Sequence, residues 1–204
     1  MVYENYKTAN EKSKVSKIKL LENEYSKCDL CQISRHRKNV CIGNGNCPCD
    51  ILCIGEAPGK SENLMGKVFC GPSGRLLKEG ISDSLKSLNM GIPTMFCTNT
   101  IACRPSDLFN GVNRPPTFIE VLNCQQRLIK IIRLCRPKII IYIGKFAKDN
   151  ESKTISEYFP DIQIGIVTHP SFILRNGGKQ SPKYQEFVSK WNEIFDAFYS
   201  GDVL

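Results

Sequence analysis

The sequence predicts an α/β protein with a small, mainly parallel sheet, and two patterns support that fold class. Short, continuous runs of apolar and β-branched residues alternate along the chain with longer stretches of helical periodicity. Runs without internal polar residues are typical of strands that are covered on both faces. Because strand and helix patterns alternate, we expect an α/β domain whose strands are mostly parallel.

Four runs are predicted to be strands. Each has four to six residues, is apolar rather than alternating, and is rich in isoleucine or other strand-forming residues. The predicted strands are Ile51–Ile54, Met95–Thr98, Lys138–Ile143 and Ile162–Val167.

Three longer segments show helical spacing of their apolar residues. They are Gly74–Leu88, Thr117–Leu134 and Lys183–Tyr199. At the start of the second segment, Thr117 and Glu120 have the spacing of a capping box, which satisfies backbone N–H groups at a helix start. In the third, aromatic and aliphatic residues form one stripe, so this helix is expected to pack on the sheet.

Polar residues follow the ends of three predicted strands. Glu56 comes just after the first strand, Asn99 after the second, and His169 after the fourth. Ligands of open α/β sheets bind beyond the carboxyl ends of the strands. A carboxylate, an amide and an imidazole are therefore expected to meet at one edge of the sheet.

Length, composition and charge limit the organisation and the partners. The 204 residues, of which 41% are hydrophobic and 24% charged, suit a single domain, residues 1–204, in which residues 1–24 form a helical or partly flexible extension. The net charge of +8 favours a polyanionic partner such as nucleic acid, because basic groups displace condensed counterions. A merely soluble basic protein would show the same charge, so both interpretations stay open.

The eleven cysteines do not resemble a disulfide framework. Their number is odd, and Met1–Lys19 is polar and lysine-rich rather than a secretory signal. The longest apolar run, Ile139–Ile143, is far too short to cross a bilayer. We therefore expect an intracellular protein without a membrane partner, whose thiols are metal ligands or core residues.

Spacing alone leaves the role of individual cysteines open. Cys28 and Cys31 form a C-x-x-C pair that zinc, redox chemistry or chance would each explain, and Cys103 and Cys124 lie far downstream. Two other cysteines, at positions 53 and 97, lie within predicted strands and are expected to be core residues. The segment 46–49 is either a metal site or a turn before the first strand. Cys41 and Cys135 remain unassigned.

Three longer motifs make the sequence resemble family 4 uracil-DNA glycosylases. The first is Gly55-Glu56-Ala57-Pro58-Gly59, followed by Glu62, Gly66, Phe69 and Gly71-Pro72. The second is Thr98-Asn99, followed by Cys103-Arg104-Pro105 and Asn113-Arg114. The third is His169-Pro170-Ser171-Phe172, followed by Leu174-Arg175. Together with the C-x-x-C pair, they occur in the family's order over about residues 25 to 190.

The resemblance implies a three-layer α/β/α fold, a cofactor and an activity. The activity is the excision of flipped-out uracil from DNA, a step of base-excision repair. The cofactor is a 4Fe–4S cluster, and four residues match its ligands: Cys28, Cys31, Cys103 and Cys124. A zinc ion on the same cysteines remains an alternative to the cluster.

The resemblance also assigns roles to the motif residues. Glu56 and His169 are the expected catalytic residues, whereas Ala57, Phe69 and Asn99 are expected to bind the base. Glu56 would orient the attacking water, and His169 would donate a hydrogen bond to uracil O2 as negative charge develops there. Phe69 would stack on the ring, and the Asn99 amide would distinguish uracil from cytosine.

Four further residues are expected to support the site or contact DNA. Glu62 and Asn113 would brace the pocket loops, and Ser171 and Arg175 would bind DNA. The sequence departs from the family pattern at Asn63, where aspartate is common, at Val68, where proline is usual, and in a longer segment over residues 106–112. These departures affect the outer loop of the pocket and remove no catalytic group.

Uracil-containing DNA is thus the expected partner, and other replication or repair proteins are further candidates. We expect the chain to be a monomer. The competing hypothesis is a non-catalytic subunit that keeps the glycosylase fold for DNA binding or polymerase processivity. An iron–sulfur electron carrier is disfavoured, because nothing in the sequence resembles a site for a redox partner.

Overall fold

The computed structural model describes the backbone of residues 9–204 and the side chains of residues 17–204. Within these residues the chain forms one five-stranded sheet with the order β1-β3-β2-β4-β5. The strands are β1 (Asn44–Gly45), β2 (Ile51–Gly55), β3 (Met95–Asn99), β4 (Ile139–Ile143) and β5 (Gln163–Val167). The strands β3, β2, β4 and β5 are parallel to one another, and the short β1 is antiparallel to β3.

Helices connect the strands and cover both faces of the sheet. They are α1 (Ala9–Tyr25), α2 (Lys60–Met65), α3 (Pro72–Leu88), α4 (Phe118–Cys135), α5 (Lys145–Tyr158), α6 (Pro170–Arg175) and α7 (Pro182–Ser200). Two short 3₁₀ helices, Gln32–Arg35 and Gly178–Gln180, complete the regular structure of the described residues.

Alternate residues of each strand pack into two separate cores. Ile51 and Cys53 of β2 contribute to the core that the strands form with α3 and α7. Leu52 and Ile54 contribute to the opposite core, formed with α4, α5 and α1. Both faces of the sheet are therefore buried, which is why the strand sequences are continuously apolar. The predicted three-layer α/β/α fold is confirmed.

The predicted strands and three predicted helices occur close to their expected positions. The capping box is present, with the Glu120 backbone N–H donating to Thr117 Oγ1 and the Thr117 N–H donating to the Glu120 carboxylate. The sequence did not indicate α5, because its buried positions include only two small or aliphatic residues, Ala147 and Ile155, together with Glu151. The two-residue strand β1 is too short to leave a pattern.

The N-terminal extension is helical where the structure describes it. The helix α1 extends to Tyr25, and its Leu21 is buried in the core that also contains α4. Residues 1–8 of the predicted extension lie outside the described residues. No helix in the described part of the chain is long and apolar enough to span a membrane.

Candidate active site

The carboxyl ends of the parallel strands carry the predicted catalytic residues. Glu56 directly follows β2, and Asn99 is the last residue of β3, where it pairs in register with Gly55. Beyond β5, His169 is the N-terminal cap of α6. The strand order places Glu56 and Asn99 on neighbouring strands and His169 two strands away from Glu56, on the same edge.

Gly55 marks the point where Phe69 and Asn99 meet. A Cβ atom added to Gly55 would lie 2.5 Å from Asn99 Oδ1 and 2.7 Å from Phe69 Cζ. Both distances are too short for any side chain larger than glycine. The absence of a side chain at Gly55 thus lets an amide oxygen and an aromatic ring share the end of β2, next to Glu56.

Phe69 has an unusual backbone conformation that the neighbouring turn supports. Its φ angle is +50°, in the left-handed region that non-glycine residues seldom occupy. The turn packs tightly against α3, since a Cβ atom on Gly74 would lie 2.0 Å from the carbonyl oxygen of Phe69. Strained conformations of this kind persist where the surrounding structure fixes them, often at binding sites. Val68, the departure from the family pattern, is buried in the same turn.

His169 accepts a hydrogen bond at the start of α6, and its burial favours the neutral imidazole. Its Nδ1 atom accepts a hydrogen bond from the Ser171 backbone N–H at 3.1 Å and lies 2.8 Å from Ser171 Oγ. Burial, with the nearby charge of Arg175, lowers the pKa of His169 to about 4. Because Nδ1 accepts, the single proton of the neutral ring is on Nε2. His169 also packs against Gly144, where an added Cβ atom would lie 2.8 Å from the His169 Cβ.

Hydrogen bonds beyond the strand ends connect the Glu56 segment to the segment after Asn99. The Thr100 N–H donates to the Gly55 carbonyl at 2.8 Å, and the Ile101 N–H donates to the Glu56 carbonyl at 3.2 Å. The Glu56 side chain is half-buried, and this burial raises the pKa of its carboxyl group. The two loops that carry the carboxylate and the amide are therefore fixed relative to each other.

The Glu62 carboxylate ties together the two ends of the first motif. One oxygen accepts from the Gly59 N–H at 3.1 Å, and the other accepts from the Gly71 N–H at 2.7 Å. Asn113 is bonded differently, since its Oδ1 accepts from Arg104 Nε at 2.6 Å. The same Arg104 side chain donates to the Phe109 and Gly111 carbonyls and so organises the longer segment of the second motif.

The exposed surface beside His169 belongs to α6. Phe172 and Leu174 are 42% and 40% exposed, so apolar side chains are accessible on this short helix. Arg175, at the end of α6, is exposed, whereas Ser171 is half-buried because it bonds the histidine. The predicted DNA-contacting residues thus lie next to the candidate catalytic imidazole.

The four predicted cluster ligands line one small pocket. Cys28 and Cys31 come from the loop after α1, Cys103 from the loop after β3, and Cys124 from α4. Burial raises the pKa of Cys103 to about 12; Arg37 opposes this shift, and the neighbouring thiols add to it. Within the described residues, no three histidine, cysteine or acidic side chains are grouped as for one metal ion. Four cysteines that line one pocket nevertheless have the donor chemistry of an iron–sulfur cluster site.

A second group of thiols lies elsewhere. Cys47 Sγ is 3.9 Å from Cys135 Sγ, and the Cys49 N–H donates to the Cys135 carbonyl. Hydrogen bonds that the Cys135 thiol makes with Cys47 and Cys49, together with burial, raise the pKa of Cys135 far above its usual range. The segment 46–49 is a turn between β1 and β2 that packs on the end of α4, as one of its two interpretations predicted.

An apolar cavity of about 620 Å³ lies between α3 and the β1 edge of the sheet. Phe69 borders it, but Glu56, Asn99 and His169 do not line it. The convergence of polar groups at the strand ends, rather than cavity size, therefore identifies the candidate site.

Comparison with known proteins agrees with this geometry. A family model described as the uracil DNA glycosylase superfamily matches residues 42–195. The chain belongs to the uracil-DNA glycosylase superfamily.

Within the superfamily, the chain is similar to curated type-4 uracil-DNA glycosylases. It is 38% identical to that of Saccharolobus solfataricus over 62% of this chain and 55% of the relative, so it spans little more than half of that protein. It is 35% identical to that of Archaeoglobus fulgidus over 74% of this chain and 80% of the relative. The Thermotoga maritima protein is 28% identical over 78% and 84% of the two chains. The resemblance to family 4 is confirmed.

A solved structure supports the fold of the superfamily. The crystal structure of Pedobacter heparinus SMUG2 superimposes with a TM-score of 0.53 and covers 74% of this chain and 76% of its own. At 15% identity, this similarity concerns the fold alone.

The sequence analysis did not identify Arg127, which lies next to the candidate site. Arg127 of α4 is buried and bonds the backbone of Asn99. A signal was present, since Arg127 precedes Leu128 and Ile129 on the apolar face of the predicted helix. A charged residue at such a position needs partners, and the sequence alone did not identify them.

Proposed function

We propose that this protein removes uracil from DNA by hydrolysing its N-glycosidic bond. The meeting of Asn99, Phe69 and Glu56 around Gly55 is the observation that carries this proposal. It provides an amide for the base edge, a ring for the base face and a carboxylate beside them. The type-4 uracil-DNA glycosylases to which the chain is similar support the same activity.

The base pocket is suited to uracil rather than cytosine. We assign the Asn99 amide to the base edge, where its oxygen accepts from uracil N3–H and its nitrogen donates to O4. Cytosine presents an acceptor and a donor at these positions, so its entry would leave buried polar groups unpaired. Asn99 is only 3% exposed, and this burial makes such mismatches costly. Phe69 would stack on the ring, and Ala57, beside Glu56, would contribute backbone to the pocket.

His169 is proposed to stabilise the departing base. Cleavage of the glycosidic bond leaves negative charge on uracil, and a neutral Nε2–H donor directed at O2 lowers the energy of that state. The hydrogen bonds of Ser171 to Nδ1 fix the tautomer that this role requires. The low pKa of His169 means that the ring donates a hydrogen bond without itself losing or gaining a proton near neutral pH.

Glu56 is proposed to act on the sugar side of the bond. Its ionised carboxylate would orient the attacking water and stabilise the positive charge that develops on the sugar. Half-burial strengthens such electrostatic effects because less water screens the charge. The hydrogen bond from the Ile101 N–H to the Glu56 carbonyl fixes the backbone that carries the carboxylate relative to the loop after Asn99.

The cysteine pocket is proposed to hold a 4Fe–4S cluster. Cys28, Cys31, Cys103 and Cys124 would be its ligands, because all four line one pocket in this structure. Hydrolysis requires no electron transfer, so the bound group would serve as a structural crosslink. It would join the segment after α1 to α4 and to the loop that follows Asn99.

DNA is proposed to lie across α6 and the strand ends. Exposed Arg175 and the half-buried Ser171 would contact phosphate groups, as the overall charge of +8 favours. The exposed Leu174 would occupy the space that a flipped nucleotide leaves in the duplex. Extrusion of the base costs a few kcal/mol, which these contacts would offset.

Incubation with a uracil-containing oligonucleotide, followed by alkaline cleavage of abasic sites, tests the proposal. We expect strand cleavage with uracil DNA, without an added cofactor, and none with matched thymine or cytosine DNA. Glu56→Gln, which should release uracil far more slowly than wild type, provides the control. Protein that binds uracil DNA and leaves it intact would instead support the DNA-binding subunit.

A further inference from the structure

Arg127 is a buried cation that the proposed mechanism does not use. It lies on α4, and its side chain is only 1% exposed. A buried charge without partners strongly destabilises a protein, so the groups that Arg127 contacts indicate its role.

The guanidinium group binds the turn that contains Asn99. Nη2 donates to the Asn99 carbonyl at 2.5 Å and to the Thr100 carbonyl at 2.9 Å. Nη1 donates to Thr98 Oγ1 at 3.0 Å. Three consecutive residues at the end of β3 are therefore bonded to one side chain. The planar fork of arginine can hold several acceptors in a fixed geometry, whereas the single ammonium group of lysine cannot.

The charge of Arg127 also acts on a buried carboxyl group. Glu151 of α5 is fully buried, and its two oxygens have no hydrogen-bond partner among the described residues. Burial raises the pKa of Glu151 to about 7, and the charge of Arg127 opposes that shift. Arg127 thus bonds the turn at residues 98–100, and its charge favours the ionised form of Glu151.

Arg127 also borders the cysteine pocket. It lines the pocket together with Cys124, which lies about one helical turn earlier on α4. The same rigid helix therefore carries a proposed cluster ligand and the group that bonds the backbone of Asn99.

We propose that Arg127 is a positioning residue for base recognition. Its fork fixes the backbone at residues 98–100 and thereby aims the Asn99 amide at the base. The inference rests on the proposed function in one respect, namely that Asn99 reads the base. A purely structural Arg127 would affect folding and leave recognition unchanged in any variant that folds.

Arg127→Lys is the main test, because lysine keeps the charge and loses the fork. Arg133→Lys, at an exposed position of the same helix, is the matched control. Four quantities are compared with wild type: iron content, affinity for free uracil, the single-turnover rate of uracil release, and affinity for a DNA duplex without uracil. Free uracil probes the base pocket independently of DNA contacts.

We expect Arg127→Lys to lower both the affinity for uracil and the release rate by about tenfold to a hundredfold, as a displacement of about 1 Å in a recognition group would. Iron content and affinity for uracil-free DNA should stay within about twofold of wild type. Arg133→Lys should match wild type in all four measurements.

A second pair of variants covers the case in which Arg127→Lys does not fold. Thr98→Val removes one acceptor of Arg127, and Thr98→Ser keeps it. We expect weaker uracil binding and slower release in Thr98→Val, by about threefold to tenfold, and recovery of both in Thr98→Ser.

The inference is overturned if folded Arg127→Lys, or Thr98→Val in its place, keeps uracil affinity and release within about twofold of wild type. It is also overturned if affinity for uracil-free DNA falls as much as affinity for uracil. A wild-type protein that binds free uracil but releases none from DNA defeats the proposed function alone, because the uracil-affinity comparison still tests Arg127. A wild-type protein that neither binds free uracil nor releases uracil from DNA defeats both the proposed function and the inference about Arg127.

Discussion

Replacing Gly55 by alanine tests the geometry of the candidate base pocket most directly. The added Cβ atom would lie 2.5 Å from Asn99 Oδ1 and 2.7 Å from Phe69 Cζ. Gly55 is in the extended conformation of β2 and has no positive φ angle, so alanine meets no backbone strain there. Any effect of the substitution must therefore come from contact with these two side chains.

The contact distances give the size of the effect. Carbon atoms pack favourably at about 3.5 Å or more, and carbon and oxygen at about 3.3 Å. The ring and the amide oxygen must therefore each move by about 0.8 Å. A displacement of about 1 Å in a recognition group can slow a reaction about 100-fold. Overpacking of this kind also costs about 1 to 3 kcal/mol of stability.

Single-turnover release of uracil from a duplex is the assay, performed well below the melting temperature of each variant. We expect Gly55→Ala to be about 100-fold slower than wild type and to bind uracil-free duplex normally. Gly91→Ala is the control, because its Cβ atom would have one ordinary contact, 3.9 Å from Tyr199 Oη. A Gly55→Ala rate within about threefold of wild type would refute the placement of Asn99 and Phe69 around the base.

Three further predictions concern the remaining groups. His169→Ala should slow base release by about 100- to 1,000-fold and leave DNA affinity unchanged, since it removes one hydrogen-bond donor to the negative charge that develops on uracil. Loss of DNA binding without loss of rate would make His169 structural. Because burial raises the pKa of Glu56 and the pKa of His169 is about 4, release should slow as pH falls through a value above the usual carboxyl pKa. That acidic limb should be absent from the residual rate of Glu56→Gln, and its persistence there would assign it to another group. Cys103→Ala and Cys124→Ala should give poorly soluble protein that is depleted of iron, as measured by metal analysis and visible absorption. The control Cys49→Ala should retain iron. Stoichiometric zinc without iron in the wild-type protein would contradict the cluster.

Much of the fold could be predicted because the signals are local. The continuous apolar run Ile139–Ile143 can be buried on both faces only in the middle of a covered sheet, and it forms β4 there. The helix α5 could not be predicted, because its stability depends on tertiary contacts of a few residues rather than on an amphipathic pattern. Its buried Glu151 also argues against a core position, because a charged side chain is seldom fully buried.

In the candidate site, too, some features follow from local sequence signals and others depend on tertiary contacts. The positions of Glu56, Asn99 and His169 follow from their places at strand ends, which any parallel sheet gathers on one edge. The contact of Phe69 and Asn99 at Gly55 could not be predicted, because it depends on the left-handed turn at Phe69 and on its packing against Gly74. The bonds from Arg127 to residues 98–100 likewise depend on the angle at which α4 crosses the sheet, about which the sequence is silent.

The hydrogen bonds from Thr100 to Gly55 and from Ile101 to Glu56 join the two segments directly beyond the paired residues of β2 and β3. These two amide protons should consequently exchange with solvent as slowly as those of the central strands, and only when a large part of the sheet opens. This edge of the sheet is therefore preformed and does not need to close around the substrate. During recognition, the conformational change then falls on the nucleotide, which must leave the helix and fit a surface that is already complete.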